Sequence, residues 1–477
     1  MSETQNIEPE APGSEPRPAI RRVDLTQGGL RRGIFMLAWP IVLSSALQWV
    51  MGVADVKMVG YLGPEAIAAV GMAGNAFFTF MVIMLAVSTG TQVLVAQYTG
   101  QRDHAKVSAV ARQSIIMTVA ATLLLMTPLG LIFSRAILRL MGADDAVIAD
   151  ALPYMQLMFA GTIFMNLNFI LGAILQGAGD TITPLLILVG INVTHIFCNW
   201  LFIFGIGPFP RLGVAGAAWG VIISRALGVA VATWALTSGR FAVHVAWRES
   251  WALHLPTWGK TLYIGLPNAL QGLARNLSFT VMYKVLTLAA AGGAAGTAAV
   301  AAFTIAGQIR GVSIMAGLAM MGAAMTVVGQ NCGAQQLDRA ERGGWWTTRI
   351  SMGFSLVAVA IYVAFARVLV RAFTDDAMTL AVGIPALRIL AIGEPALVGG
   401  MALAGALRGA GDTWAPLWAS LLSTTILSPV IAYILALNLS MGPTGVWLGY
   451  VIGMTLGLVI LGLMFRSGRW KRLRIAT

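Results

Sequence analysis

One stretch occurs twice in this chain and constrains its fold more than any other feature. Leu171–Leu185 reads LGAILQGAGDTITPL and Leu403–Leu417 reads LAGALRGAGDTWAPL, and the two begin 232 residues apart in a chain of 477. In each copy an apolar run ends in Gly-Ala-Gly-Asp-Thr and resumes after Pro184 or Pro416, the pattern of a helix, a tight turn and the next helix. Gly177, Gly179, Gly409 and Gly411 allow the turn. Asp180 and Asp412 are placed to cap the incoming helix, whose first turn suits Pro184 and Pro416. A turn motif alone says little. Repeated at long period with its flanking apolar segments, it implies duplicated halves, the construction of many transporters.

Composition points the same way. Hydrophobic residues make up 58% of the chain and charged residues 10%, with a mean hydropathy of +0.80. No single soluble core absorbs that much apolar surface. Apolar runs of about 20 residues recur throughout, each long enough to cross ~30 Å of hydrocarbon as a helix. They lack the alternation of a membrane barrel, so the expected class is all-α and polytopic. The net charge of +12 sits in short loops and tails, which reads as membrane topology rather than nucleic-acid binding.

Residues 1–30, with Glu3, Glu8, Glu10, Glu15 and four prolines, are expected to form a disordered tail, and no signal peptide is read there. The expected spans are twelve: 33–60, 66–98, 108–133, 147–177, 184–206, 213–238, 258–287, 297–331, 345–371, 378–408, 416–438 and 443–466. They group as an N-terminal six-helix lobe (31–238), a linker (239–257), a C-terminal six-helix lobe (258–466) and a basic tail (467–477). With twelve spans, the basic clusters at Arg31/Arg32, Arg102/Lys106/Arg112, Arg240/Arg248/Lys260, Arg339/Arg342/Arg349 and Arg466–Arg474 share one side. The positive-inside rule makes that side cytoplasmic, with both termini in, as for a bacterial inner-membrane protein. The duplication also pairs Pro40 with Pro267, Gln97-x-x-Gly100 with Gln330-x-x-Gly333, and Gly213/Gly216/Gly220 with Gly442/Gly445/Gly449. These glycines read most simply as close helix packing.

Val53–Gly71 (VADVKMVGYLGPEAIAAVG), Leu212–Ser224 (LGVAGAAWGVIIS) and the two turn repeats together resemble the multidrug and toxic compound extrusion (MATE) transporters over nearly the whole chain. The resemblance implies two six-helix lobes related by a pseudo-twofold axis around a central cavity. It also implies export of small organic cations or amphipathic drugs in antiport with H⁺ or Na⁺, by a membrane-embedded chain expected to act as a monomer. Neither an enzyme nor a bound cofactor is expected: no ATP-binding motif or nucleophile elbow is present, so an ion gradient must supply the energy.

An ionisable group inside a span is costly, and therefore marks function or a partner. Asp55 lies about five residues before the end of span 1, with Gln48 on its face and Met51 one turn away as a cavity candidate. Its plainer reading is an interfacial carboxylate beside Lys57. Asn192, His195 and Asn199 form a polar stripe on span 5 that reaches the depth of Asp55. That stripe reads either as glue between helices or as part of a cation site, for H⁺ or for Na⁺ held at Asp55. The family resemblance places an Asn and, four residues on, an acid or Asn beside the span 1 Asp. This chain has His195 and Asn199 at those positions and Val221 where span 6 is expected to carry Thr, so it departs from the pattern twice.

The second lobe is not equivalent. The Pro40–Pro267 offset maps Gln48 to Arg275 and Asp55 to Met282. Glu394 falls near the depth of Arg275, so these two are expected either to pair or to leave Glu394 for substrate or proton. Arg225 and Arg310 are also intramembrane and have no assigned partner at this stage. A flippase for a lipid-linked precursor would share the duplicated helices but needs a basic cavity, and cavity charge therefore separates the two readings.

Overall fold

The computed structural model describes residues 25–238, 243, 245, 250–290 and 292–473. Among these the regular structure is helical. The first half comprises α1 (Leu30–Gly60), α2 (Pro64–Gly100), α3 (His104–Leu140), α4 (Asp145–Ala160 and Thr162–Gly177), α5 (Ile182–Phe204) and α6 (Val214–Thr237). The second repeats it as α7 (Leu255–Ala289), α8 (Gly293–Gly333), α9 (Leu337–Ala364, continued by Ala366–Arg371), α10 (Ala377–Ile392 and Glu394–Gly409), α11 (Trp414–Asn438) and α12 (Pro443–Arg466).

By length and apolar composition nine described helices can cross a membrane, and the bent pairs α4 and α10 raise the number to eleven. Twelve spans were expected. The exception is α7, which carries Lys260, Arg275 and Lys284 within 35 residues. Thr261 and Asn268, on the α7 face that also carries Arg275, touch the other half of the protein rather than lipid.

Local chemistry sets the boundaries. Asp103, Asp144 and Asp376 accept the N–H groups of Lys106, Val147 and Thr379, capping α3, α4 and α10. The Lys106 N–H holds the Asp103 carboxyl below the usual carboxylate range. At the duplicated turns Gly179 and Gly411 adopt φ of 88° and 100°, a region that side chains disfavour. Asp180 and Asp412 accept the N–H groups of Thr183 and Ala415, closing the first turn of α5 and α11. The bent helices break at corresponding glycines: α4 turns by 47° at Gly161 and α10 by 44° at Gly393, again 232 residues apart.

Each half buries apolar clusters, that of the first half taking in Ile264 of α7. A further cluster, in which Ile34, Leu37, Ala38 and Ile41 of α1 meet Ala319, Met320, Ala323 and Val327 of α8, joins the halves. The contacts are symmetric: α1 packs on α5 and α8, while α7 packs on α11 and α2. The paired glycines supply close approaches. A Cβ at Gly216 would strike the Phe202 backbone, and one at Gly445 or Gly449 would strike the backbone of α11 near Ala436 or Ala432.

The expected tail, linker and C-terminal basic segment are docked on the bundle where they are described. Leu25 is buried, and Arg339 donates to the carbonyls of Leu25, Gln27 and Gly28, so the expected tail ends before residue 25 rather than at 30. Residues 1–24 lie outside the described residues. In the linker Val243 and Val245 are buried, and Gln113 binds Ala252 and His254, while Arg240 and Arg248 fall outside the description. Beyond α12, Trp470 stacks on Phe465 and Lys471 pairs with Glu341 at 2.6 Å.

Candidate functional site

The two halves meet tightly at the end of the bundle that carries Arg31, Arg102, Arg339 and Arg466, here the basic end. Gln97 Nε2 donates to the carbonyl of Gly409 at 2.9 Å, and Gln330 Nε2 to that of Gly177 at 3.0 Å. Each duplicated glutamine thus reaches the duplicated turn of the opposite half. A Cβ at Gly100 would collide with the Gln330 carbonyl, and one at Gly333 with the Gln97 carbonyl, so α2 and α8 touch backbone to backbone. Asn268 to Thr89 (2.8 Å), Gln92 to the Gly322 carbonyl (3.2 Å) and Thr326 to the Gln176 carbonyl (3.0 Å) extend the seal.

Helical periodicity carries the same faces beyond the seal. On α1, Ile34, Ile41, Gln48 and Asp55 recur every seven residues and share a face. On α7 the corresponding residues are Thr261, Asn268, Arg275 and Met282. Ile34, Ile41, Thr261 and Asn268 are buried between the halves, whereas one heptad further from the basic end Gln48 and Arg275 are exposed. The packing between the halves ends between these levels, and Gln48 and Arg275 occupy pseudo-twofold positions on the faces that continue beyond it, where we read a cleft.

One more heptad along α1, Asp55 meets the polar stripe of α5. Asn199 Nδ2 donates to Asp55 Oδ1 at 3.0 Å, and His195 Nε2 lies 3.4 Å from the same oxygen and 3.0 Å from Asn199 Nδ2. The Asp55 side chain is 32% exposed and that of His195 7%. Because the Asn199 amide donates, a neutral His195 must present its Nε2 lone pair to it. Asn199 Oδ1 is buried without a partner and sits where a Cβ on Gly220 would collide with it, so the glycine of α6 makes room for this amide. Arg225 of α6 lies within Coulombic reach of both Asp55 and His195, and Tyr154 within reach of Asp55. Arg225 was visible in the sequence as an intramembrane charge lacking a partner. Tyr154 gave no such signal.

The other expected residues are placed differently. Met51 is buried and therefore does not line the cleft. Asn192 is buried too, and its amide nitrogen has no hydrogen-bond partner. The expected Arg275–Glu394 pair does not form: Glu394 Oε1 accepts from Arg310 Nε, with Glu394 fully buried and Arg310 4% exposed. Depth alone had paired Glu394 with Arg275, but the α7 rotation sends Arg275 to the cleft while Arg310 projects from the buried face of α8. Glu394 opens the second segment of α10, where the helix dipole favours a carboxylate. Its positional equivalent in the first half is Thr162, and that of Arg310 is Phe77, which packs against Phe159. The charge pair is therefore peculiar to the second half.

Comparison with known proteins agrees with this geometry. The MatE family profile matches twice, over residues 40–201 and 273–434. A probable multidrug resistance protein NorM of Thermotoga maritima is 25% identical over 460 residues, covering 94% of this chain and 95% of that protein. A probable NorM of Rhizobium meliloti is 29% identical, covering 91% and 92%. A solved outward-facing conformation of a multidrug resistance MATE family transporter of the MOP superfamily superposes with a TM-score of 0.85 at 26% identity, covering 94% of this chain and 98% of that one. With two profile matches on two structurally repeated halves, this multi-pass membrane protein belongs to the MATE family of transporters.

Proposed function

We propose that the chain exports amphipathic, drug-like compounds from a bacterial cell in exchange for protons, by alternately opening its two lobes (31–238 and 258–466) at either end. The observation that carries this reading is the Asp55–Asn199–His195 cluster. It is a partly buried carboxylate bracketed by an amide and an imidazole and present in one half only. The relatives' names supply the drug-like substrate class. The basic clusters support a cytoplasmic position for the sealed end, with both termini and the linker 239–257 on that side.

The donor set favours H⁺ over Na⁺. Na⁺ needs several oxygen ligands, whereas Asp55 Oδ1 already receives an N–H, Asn199 Oδ1 is packed against Gly220, and the neighbours of Asp55 include an imidazole and a guanidinium. A proton has two acceptors here. Bound to Asp55, it removes the charge that Arg225 and the Asn199 amide face. Bound to His195 Nε2, it sets two donors against each other and displaces the Asn199 amide. The first event loosens the contact between α1 and α5, whereas the second replaces the amide by an imidazolium paired with Asp55 across the same two helices, so the two protonation states hold α1 against α5 differently.

Replacing Asp55 by Asn keeps the volume and removes the exchangeable proton. Cells carrying Asp55→Asn should express the folded protein yet lose dye export. Export at the wild-type rate would end the proposal.

A further inference from the structure

Beyond the seal the second half carries positive charge that no carboxylate among the described residues pairs with. Arg275 is exposed on the α7 stripe that opens into the cleft, and Gln271 lies one turn nearer the seal on the same side. Behind Gln271 is Arg408 of α10, 2% exposed, whose Nη2 donates to Gln271 Oε1 and whose Nη1 meets the Met321 sulfur. Its Nε is buried without a partner. Among the described residues neither arginine pairs with a carboxylate, and of the two intramembrane acids Glu394 is held by Arg310 and Asp55 by the α5 amide. The position pseudo-symmetric to Arg275 is the neutral Gln48, and that of Arg408 is the neutral Gln176.

A desolvated guanidinium without a counter-ion is costly. Arg408 is such a group, and with the exposed Arg275 one helical turn from its partner Gln271 it makes an acceptor that an anion completes. We propose that Arg275 and Gln271, backed by Arg408, receive a carboxylate or phosphate group of the transported compound, so that organic anions and zwitterions are substrates. This rests on reading the cleft as the export path. Arg275 makes the direct contact through its fork of N–H donors. Arg408 orients Gln271 and adds a fixed charge behind it. The neutral wall at Gln48 leaves the opposite side to the apolar part of the molecule.

The test is equilibrium binding of carboxyfluorescein, an anionic dye, to the full chain in phosphatidylcholine nanodiscs, followed by fluorescence anisotropy beside the cationic dye ethidium. No ion gradient is present, so failure of proton coupling leaves the result unaffected. Arg275→Gln, which installs the residue of the opposite wall at an exposed position, should weaken carboxyfluorescein binding by about tenfold or more. Arg275→Lys should retain most of it, and Arg275→Gln should bind the cationic ethidium at least as tightly as wild type, the opposite direction to carboxyfluorescein. Equal carboxyfluorescein binding by wild type and Arg275→Gln, or none by wild type, would overturn the assignment. Discs containing phosphatidylglycerol separate a lipid headgroup from a soluble anion. Unchanged affinity there supports a soluble substrate, and competition seen only with Arg275 intact would give the acceptor to lipid instead.

Discussion

Arg310 and Glu394 form a buried pair whose energetics can be read by a double-mutant cycle. Glu394 is fully buried and Arg310 nearly so, with Glu394 Oε2 unpaired and Tyr450 beside the guanidinium. Removing either partner as Leu strands the other charge in an apolar interior, at a cost of about 3 to 5 kcal/mol. Removing both strands nothing, and the two leucines fill part of the space, so Arg310→Leu/Glu394→Leu should lie within about 2 kcal/mol of wild type. The expected coupling is about 4 kcal/mol or more, well above the ~0.5 kcal/mol within which independent sites add. The assay is reversible unfolding in mixed micelles, followed by tryptophan fluorescence, for wild type, both single variants and the double. Arg275→Leu combined with Glu394→Leu serves as the control and should be additive. Additive losses for Arg310 and Glu394, with coupling for Arg275 and Glu394, would refute the pairing.

Other outcomes follow from close contacts. Gly220→Ala should reproduce the coupling defect of Asn199→Ala, because the added methyl occupies the place of Asn199 Oδ1; full export by Gly220→Ala would show that the amide need not sit there. Gly333→Ala drives a methyl into the Gln97 carbonyl and should hold the lobes apart at the basic end. In a Cys198→Ser background it should speed maleimide labelling of Cys332, and an unchanged rate would argue against α2 and α8 forming the inner seal.

Much of the fold was legible because membrane helices advertise themselves by length and hydropathy, and because the duplication prints each boundary twice. The Gly-Ala-Gly-Asp-Thr turns, the Gln-x-x-Gly ends and the α6 and α12 glycines all fell at turns or contacts between helices. The meeting of Asp55 with His195 and Asn199 was also readable, since matching depth and a shared face suffice when both helices belong to one lobe. Depth did not suffice for Glu394. Which of two arginines it meets depends on how α7 and α8 are rotated, and α8, apolar nearly all round, gives no sequence signal for its rotation. The docking of Leu25 and Trp470 was hidden for a different reason: single apolar residues in polar segments lack periodicity, and only the Arg339 donors and the Phe465 ring reveal where they bind.

Proton coupling at the Asp55 cluster is tested most directly in proteoliposomes holding the purified chain, with pH and Na⁺ gradients imposed one at a time and ethidium or carboxyfluorescein as the transported dye. A pH gradient alone should drive dye movement, a Na⁺ gradient at equal pH should drive none, and Asp55→Asn should be inactive under both. Dye movement driven by Na⁺ at equal pH, or undiminished in Asp55→Asn, would contradict it.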